Sequence, residues 1–162
     1  MSFLNQRLTG PLRRIWLGVT LTRQGPLRDR GWFESVLSGR SIDRQGQPIP
    51  WFPYAALSLL ERKVPVTPRL HIGEYGCGNS TLWWAKYAER VVAVEHDERW
   101  SQEIRKLAPA HVQVLSVPQS PAAAYAAALQ NHGLFDVVVI DGRNGVACAD
   151  VANTLLTERG II

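Results

Sequence analysis

Residues 69–97, RLHIGEYGCGNSTLWWAKYAERVVAVEHD, constrain the fold of this chain more than any other segment. The apolar run Leu70–Ile72 predicts a buried strand, and Gly76 and Gly78 follow it closely. Asparagine, serine and threonine come next and are common at helix N-termini, so a helix is predicted there. The β-branched residues of Val91–Val94 predict a second strand. Together these features indicate half of a nucleotide-binding βαβ unit.

Strands and helices are predicted to alternate through the rest of residues 69–162. The further predicted strands are Val112–Val117, Phe135–Ile140 and a fifth that begins at Gly160, and the further predicted helices are Glu98–Leu107, Pro121–Leu129 and Val146–Leu156. This alternation predicts an α/β fold, a Rossmann-like doubly wound parallel sheet with strands 1–4 and the start of strand 5. In the helix Glu98–Leu107, the spacing of Trp100, Ile104 and Leu107 predicts a face in the core.

Two segments precede this cofactor-binding domain. Residues 1–40 form a predicted basic arm of two short helices with a net charge of +5, whereas residues 41–162 carry −1. A basic amphipathic pair either packs as a cap on the domain or makes weak contact with a membrane surface. The aromatic and basic residues are not interleaved as in single-stranded nucleic-acid platforms, so no nucleic-acid partner is favoured. Residues 41–68 are predicted to be a proline-rich and aromatic connector followed by the helix Ala55–Arg62.

The cysteines and the N-terminal apolar run bear on the cellular compartment. Cys77 and Cys148 have neither CxxC nor Cys/His spacing, so no zinc or other metal site is indicated. Two unpaired cysteines suit a reduced, cytoplasmic protein. The run Ile15–Val19 is too short for a membrane span and no small-residue cleavage site follows it, so we expect no signal peptide.

Three acidic residues, Glu74, Glu95 and Asp141, follow predicted strands. Because ligands bind at the carboxyl ends of strands in open α/β sheets, we expect these acids to meet beside the glycine turn. The free amides at the start of the following helix favour a carboxylate or a phosphate. Glu95 lies 19 residues after Gly76, a distance at which an acid can accept hydrogen bonds from ribose hydroxyls.

Two classes of nucleotide cofactor share this plan. A dinucleotide turn reads G-x-G-x-x-G, but Thr81 stands here in the position of the third glycine. The carboxylate of Glu74 would repel a pyrophosphate and attract a cation. S-adenosylmethionine has an ammonium, a sulfonium, a carboxylate and a ribose but no phosphate, and it therefore suits these residues better than NAD(P).

The sequence resembles class I S-adenosylmethionine-dependent methyltransferases in two motifs. Residues 74–81, EYGCGNST, resemble the first motif of the subgroup that reads E-x-G-x-G-N-S-T, and residues 135–142, FDVVVIDG, are similar to the fourth-strand motif. Glu95 matches the family's acid at the end of strand two, and the resemblance covers roughly residues 40–162. It implies cofactor contacts at Glu74, Tyr75, Gly76, Cys77, Gly78, Asn79, Ser80, Thr81, Glu95, His96 and Val117.

The resemblance also implies a reaction, which is methyl transfer to an unidentified acceptor by in-line displacement from the sulfonium. Asp141 is the predicted base, and Asp141 and Arg143 are the predicted acceptor contacts, although Arg143 could instead pair with Asp141. Tyr75 could stack on the ligand or lie in the core, and His96 could contact adenine or ribose or lie on the surface. The alternatives are a binding module without turnover and an NAD(P)-dependent oxidoreductase.

The family's sheet has seven strands, whereas this sequence ends as a fifth begins, so we expect a C-terminally truncated domain. An exposed apolar edge near strand four would follow. We expect the basic arm or a second copy of the chain, in a homo-oligomer, to cover that edge.

Overall fold

The computed structural model describes residues 10–63 and 70–162, and the chain divides into two compact units, Met1–Pro48 and Ile49–Ile162. This division falls within residues 41–68, the predicted connector. Arg7 of the basic arm and Arg69, the first residue of the segment 69–97, lie outside the described residues. None of the helices in the described ranges is long and apolar enough to cross a membrane.

The described part of the first unit, residues 10–48, contains three helices where two were predicted. They are α1 (Gly10–Arg23), α2 (Pro26–Asp29) and α3 (Trp32–Ser38). The predicted second helix is interrupted at Gly31, whose φ is +82°. A β-carbon at Gly31 would lie 2.3 Å from the carbonyl carbon of Asp43, so only glycine fits this approach of two backbone segments.

The second unit is a five-stranded parallel sheet with helices between the strands. Its elements are α4 (Tyr54–Lys63), β1 (Leu70–Tyr75), α5 (Asn79–Trp84), β2 (Ala88–Glu95), α6 (Glu98–Leu107), β3 (Val112–Ser116), α7 (Ala122–Ala127), a 3-10 turn (Gln130–His132), β4 (Phe135–Ile140), α8 (Gly145–Ala152) and β5 (Leu156–Ile161). The strand order is β3-β2-β1-β4-β5, and every pairing is parallel. The predicted Rossmann-like α/β fold is therefore confirmed.

Hydrophobic clusters cover both faces of the sheet. Because successive side chains of a strand point to opposite faces, the neighbouring residues Val91 and Val92 of β2 join different clusters. One cluster contains Tyr75, Tyr125 and Phe135, and the other contains Leu57, Ile72, Trp83 and Trp84. Trp83 is 3% exposed and therefore lies in the core.

Two predictions about packing are wrong. Ile104 is buried as expected, but Trp100 is 39% exposed and Leu107 is 55% exposed, because the buried face of α6 is narrower than the spacing suggested. The strand β4 is not the edge of the sheet either, since β5 pairs with it through Phe135 and Leu156. The outer strand on that side is β5.

The strand β5 also begins earlier than predicted, at Leu156 rather than at Gly160. The helix α8 ends at Ala152, although Val146–Leu156 was predicted to be helical. Glu158 and Arg159 lie in the middle of β5 and are exposed, as charged residues commonly are on an edge strand. Because these two residues are charged, the segment lacks the alternation of apolar and polar residues by which a strand is recognised in a sequence.

Candidate cofactor site

A cavity of about 290 Å³ lies where β1, β2 and β4 end. The residues that line it are Glu74, Gly76, Cys77, Ser80, Glu95, His96, Asp141, Gly142 and Arg143. The three predicted acids are thus brought together beside the glycine turn. Glu74 lies within β1, as its next-to-last residue, rather than after the strand as predicted, because β1 continues to Tyr75.

Glu74 is buried at the base of this cavity, with 1% of its surface exposed. Its carboxylate accepts hydrogen bonds of 2.5 Å from both the Ser80 and the Thr81 hydroxyl groups. Burial raises the pKa of Glu74 from its ordinary 4.5 to about 7, although the two hydroxyl groups partly oppose the shift. The two hydrogen bonds therefore hold the first turn of α5 against β1. Because of the raised pKa, the protonation state of Glu74 changes near neutral pH.

Thr81, which replaces the third glycine of a dinucleotide turn, has a structural task. Its hydroxyl group donates to Glu74 and accepts a hydrogen bond of 2.9 Å from the amide of Gly78. The side chain thus closes the first turn of α5 onto its own N-cap. A glycine in this position could make neither contact.

Glu95 is the last residue of β2, and the two oxygens of its carboxylate accept hydrogen bonds from different backbone amides. Oε1 accepts hydrogen bonds from the amides of His96 (2.8 Å) and Asp97 (2.9 Å), and it lies 2.6 Å from Nδ1 of His96. Oε2 accepts a hydrogen bond of 3.0 Å from the amide of Cys77. A carboxylate oxygen can accept more than one hydrogen bond, so Oε2 is the atom with capacity for a ligand hydroxyl.

The turn after β1 and the loop after β4 pack backbone against backbone. Gly76 has a φ of +93°, and its amide donates to the carbonyl oxygen of Val94 at 2.7 Å. The amide of Asp141 donates to the carbonyl oxygen of Tyr75 at 3.0 Å. A β-carbon at Gly142 would come within 2.8 Å of the Gly76 nitrogen and of the Tyr125 hydroxyl group. Gly142 was not among the predicted site residues, although a glycine directly after a strand-end acid was a visible signal.

Asp141 and Arg143 follow β4 at the mouth of the cavity, and both are exposed. Partial desolvation of the carboxyl group at the cavity mouth raises the pKa of Asp141 above its ordinary value. Within residues 10–63 and 70–162, no ion pair joins Arg143 to Asp141. Both side chains are therefore available to a ligand.

Five predicted cofactor contacts do not line the cavity. The side chain of Tyr75 is fully buried in the core, where its hydroxyl group donates to the carbonyl oxygen of Ala126 at 2.5 Å. Val117 packs against the same cluster. Gly78, Asn79 and Thr81 form the start of α5 beside the cavity. Their contact with a cofactor stays a prediction.

Cys77 lies in the turn as a neutral thiol. Burial and the nearby carboxylates of Glu95 and Glu74 raise the pKa of its thiol well above the ordinary range. A thiol that remains protonated is a poor nucleophile, so Cys77 serves as a small turn residue.

The architecture defined by these observations is a Rossmann-like α/β fold with an acidic cavity at the carboxyl ends of its strands. No protein-family model matches the sequence, and no curated protein matches it. Among solved structures, the chain is similar to the precorrin-8W decarboxylase of Methanobacterium thermoautotrophicum, with a TM-score of 0.54 and 19% identity over 72% of this chain and 64% of that one.

Two methyltransferases are similar to a comparable degree. The C-terminal domain of precorrin-6Y C5,15-methyltransferase from Rhodobacter capsulatus gives a TM-score of 0.51 at 23% identity over 76% of this chain and 66% of that one. The MycE methyltransferase of mycinamycin biosynthesis gives 0.51 at 16% identity over 95% of this chain and 43% of that one. The chain thus has the fold of class I S-adenosylmethionine-dependent methyltransferases and spans less than two thirds of the length of each of these structures.

Proposed function

We propose that this chain binds S-adenosylmethionine in the cavity at the ends of β1, β2 and β4 and transfers its methyl group to a small-molecule acceptor. The observation that carries the proposal is that the carboxyl groups of Glu74, Glu95 and Asp141 line one cavity beside a glycine turn. Such a cavity attracts a cation and repels a pyrophosphate. The likeness of the fold to that of two methyltransferases supports the same choice.

The side chains of the cavity have separate tasks in this proposal. S-adenosylmethionine supplies a methyl group on a positively charged sulfur. Glu95 accepts a ribose hydroxyl through Oε2, the oxygen that accepts from the Cys77 amide. Glu74, once ionised, faces the positive end of the ligand from the base of the cavity. The turn at Gly76 lets the backbone approach the ligand closely, because no β-carbon intervenes.

Asp141 is the proposed base. Its carboxylate takes the proton from an acceptor hydroxyl or amine as the acceptor atom forms its bond to the methyl carbon and the carbon–sulfur bond breaks. The raised pKa of Asp141 makes its carboxylate a stronger base than an ordinary aspartate. Arg143, beside it at the cavity mouth, would contact an acidic group of the acceptor.

Calorimetric titration tests the binding step. We expect the chain to release or absorb heat with S-adenosylhomocysteine and to give none with NAD. Glu95→Gln should weaken S-adenosylhomocysteine binding by at least about tenfold, because the amide cannot replace a carboxylate that accepts several hydrogen bonds. Glu103→Gln is the matched control, since Glu103 is an exposed residue of α6 paired with Lys106. No heat with S-adenosylhomocysteine at millimolar concentration would reject the proposal.

A second experiment separates a transferase from a binding module without turnover. The chain is incubated with S-adenosylmethionine labelled in its methyl group and with pools of hydroxylated and amine-containing small molecules. Transfer of label to a pool, lost in Asp141→Asn, supports the transferase. Tight binding with no transfer to any pool would reduce the function to binding alone.

A further inference from the structure

Trp100 contacts the glycine turn from outside the motif. Its indole Nε1 donates a hydrogen bond of 2.7 Å to the carbonyl oxygen of Cys77, a residue 23 positions earlier in the chain. The ring also lies 3.9 Å from the position that a β-carbon on Gly78 would occupy. Because Trp100 is 39% exposed, burial in the core does not account for a tryptophan at this position.

The peptide unit between Cys77 and Gly78 is held at both of its polar groups. Its carbonyl oxygen accepts from Trp100, and its N–H, on Gly78, donates to Thr81 Oγ1 at 2.9 Å. The preceding amide, of Cys77, donates to Glu95 Oε2 at 3.0 Å. Rotation of this peptide would break the bonds to Trp100 and Thr81 together, so the two side chains fix its orientation.

The position of Trp100 is itself linked to Glu95 by the cap of α6. Asp97 Oδ1 accepts hydrogen bonds from the amides of Arg99 (2.9 Å) and Trp100 (3.1 Å). The amide of Asp97 donates to Glu95 Oε1 at 2.9 Å. A continuous series of hydrogen bonds therefore runs from Glu95 through Asp97 and Trp100 to Cys77, and back to Glu95 through the Cys77 amide.

We propose that Trp100 is a positioning residue for the cofactor turn, whose indole N–H holds the Cys77–Gly78 peptide in its ligand-binding orientation. This inference rests on the proposed function, since the ligand concerned is S-adenosylmethionine. Trp100 does not line the cavity, so it acts through the turn. Without the N–H, the carbonyl group of Cys77 is hydrogen-bonded by water and the peptide can rotate. Ligand affinity should therefore fall, whereas the stability of the fold should change little.

Trp100→Phe in the full chain tests the proposal, because phenylalanine keeps an aromatic ring and lacks the donor. We expect the dissociation constant for S-adenosylhomocysteine to rise about fivefold to tenfold, the effect of one hydrogen bond, with a melting temperature close to that of the wild type. Trp51→Phe is the matched control, since Trp51 is a 68% exposed tryptophan of the same unit. Wild-type affinity in Trp100→Phe would overturn the proposal.

Nuclear magnetic resonance of the wild-type chain supplies a readout that needs no ligand. The indole N–H signal of Trp100, identified by resonance assignment of the wild-type chain, should exchange with solvent more slowly than that of Trp51. Equal exchange rates would overturn the contact even if the variant failed to fold. If the wild type did not bind S-adenosylhomocysteine, the proposed function would fail, and faster exchange of the Gly78 amide in Trp100→Phe would still decide whether Trp100 positions the turn.

Discussion

Gly142 and Gly76 lie in backbone contact, so close that a β-carbon at position 142 would come within 2.8 Å of the Gly76 nitrogen. Gly76 belongs to the turn after β1 and Gly142 to the loop after β4. Their contact brings two loops that are far apart in sequence to one side of the cavity. The distance between the glycine turn and Asp141 therefore depends on both residues having no side chain.

Gly142→Ala should lower the free energy of unfolding by about 1–3 kcal/mol, the usual cost of overpacking a closely packed site. The atoms that the new methyl group meets include backbone of Gly76 and Tyr75, which cannot move aside without displacing the turn. We also expect loss of S-adenosylhomocysteine binding. Urea denaturation and calorimetry measure the two effects.

The control for this variant is Gly145→Ala. Gly145 begins α8, and a β-carbon there would meet only Ile140 Cγ2, at 4.0 Å. Alanine is favourable inside a helix, so this variant should be as stable as the wild type or slightly more stable. Equal stability of Gly142→Ala and Gly145→Ala would contradict the close contact.

The fold was predictable where local signals agree with tertiary packing. The bounds of α6 are as predicted, because Asp97 caps it and its residues favour helix. The bounds of β4 are also as predicted, since a strand covered on both faces reads as a continuous apolar run. The strand β5 was predicted to start four residues late because its charged residues are tolerated only by an outer strand, which is a property of the sheet order and not of the local sequence.

The site was predictable only as far as its motifs extend. The motif residues Glu74, Gly76 and Cys77 line the cavity, as do Glu95 and Asp141. The side chain of Tyr75 lies in the core because strand alternation turns it away from the ligand face, and the motif does not state where β1 ends. The helical spacing of Trp100 from Ile104 predicted that Trp100 lies in the core. That spacing is the same when the ring reaches sideways to Cys77, so the sequence could not distinguish the two positions.

Glu74 should make the stability of the chain depend on pH between about 4.5 and about 7. The folded pKa lies above the unfolded value, so the contribution to stability is complete below pH 4.5 and is lost as the pH rises to about 7. At about 1.4 kcal/mol per pH unit, this shift corresponds to about 3 kcal/mol. Between pH 4.5 and about 7, the unfolding free energy of the wild type should fall by about 3 kcal/mol more than that of Glu74→Gln. Urea denaturation at successive pH values measures this difference.

Glu103→Gln serves as the control for Glu74, because Glu103 is an exposed carboxyl group of α6 that pairs with Lys106 on the surface. Its pH dependence should follow that of the wild type. Parallel stability curves for wild type and Glu74→Gln would show that the carboxyl group titrates normally in the folded chain. The wild type and Glu74→Gln can also be titrated with S-adenosylmethionine. The affinity of the wild type should rise with pH through about 7, and that of Glu74→Gln should not.

Tyr75→Phe should affect folding and not ligand binding. The hydroxyl group of Tyr75 is buried and donates to the carbonyl oxygen of Ala126, so its removal leaves a buried acceptor and costs about 1–3 kcal/mol of unfolding free energy. The dissociation constant for S-adenosylhomocysteine should stay within about twofold of the wild-type value, a difference below 1 kcal/mol. A tenfold loss of affinity without a loss of stability would instead place the Tyr75 hydroxyl group at the ligand.

Asp141→Asn should separate catalysis from binding. The asparagine side chain keeps the shape of the residue but cannot take a proton, so methyl transfer to an accepted small molecule should fall by about 10²- to 10⁴-fold. S-adenosylhomocysteine should bind with nearly wild-type affinity, because the glycine turn and Glu95 are untouched. In the wild type, the transfer rate should rise with pH through the raised pKa of Asp141, since the carboxylate is the active form.

Asp150→Asn, an exposed position on α8, is the control and should leave both the transfer rate and the affinity for S-adenosylhomocysteine unchanged. Undiminished transfer in Asp141→Asn would remove this residue from the role of base while leaving the cofactor site intact.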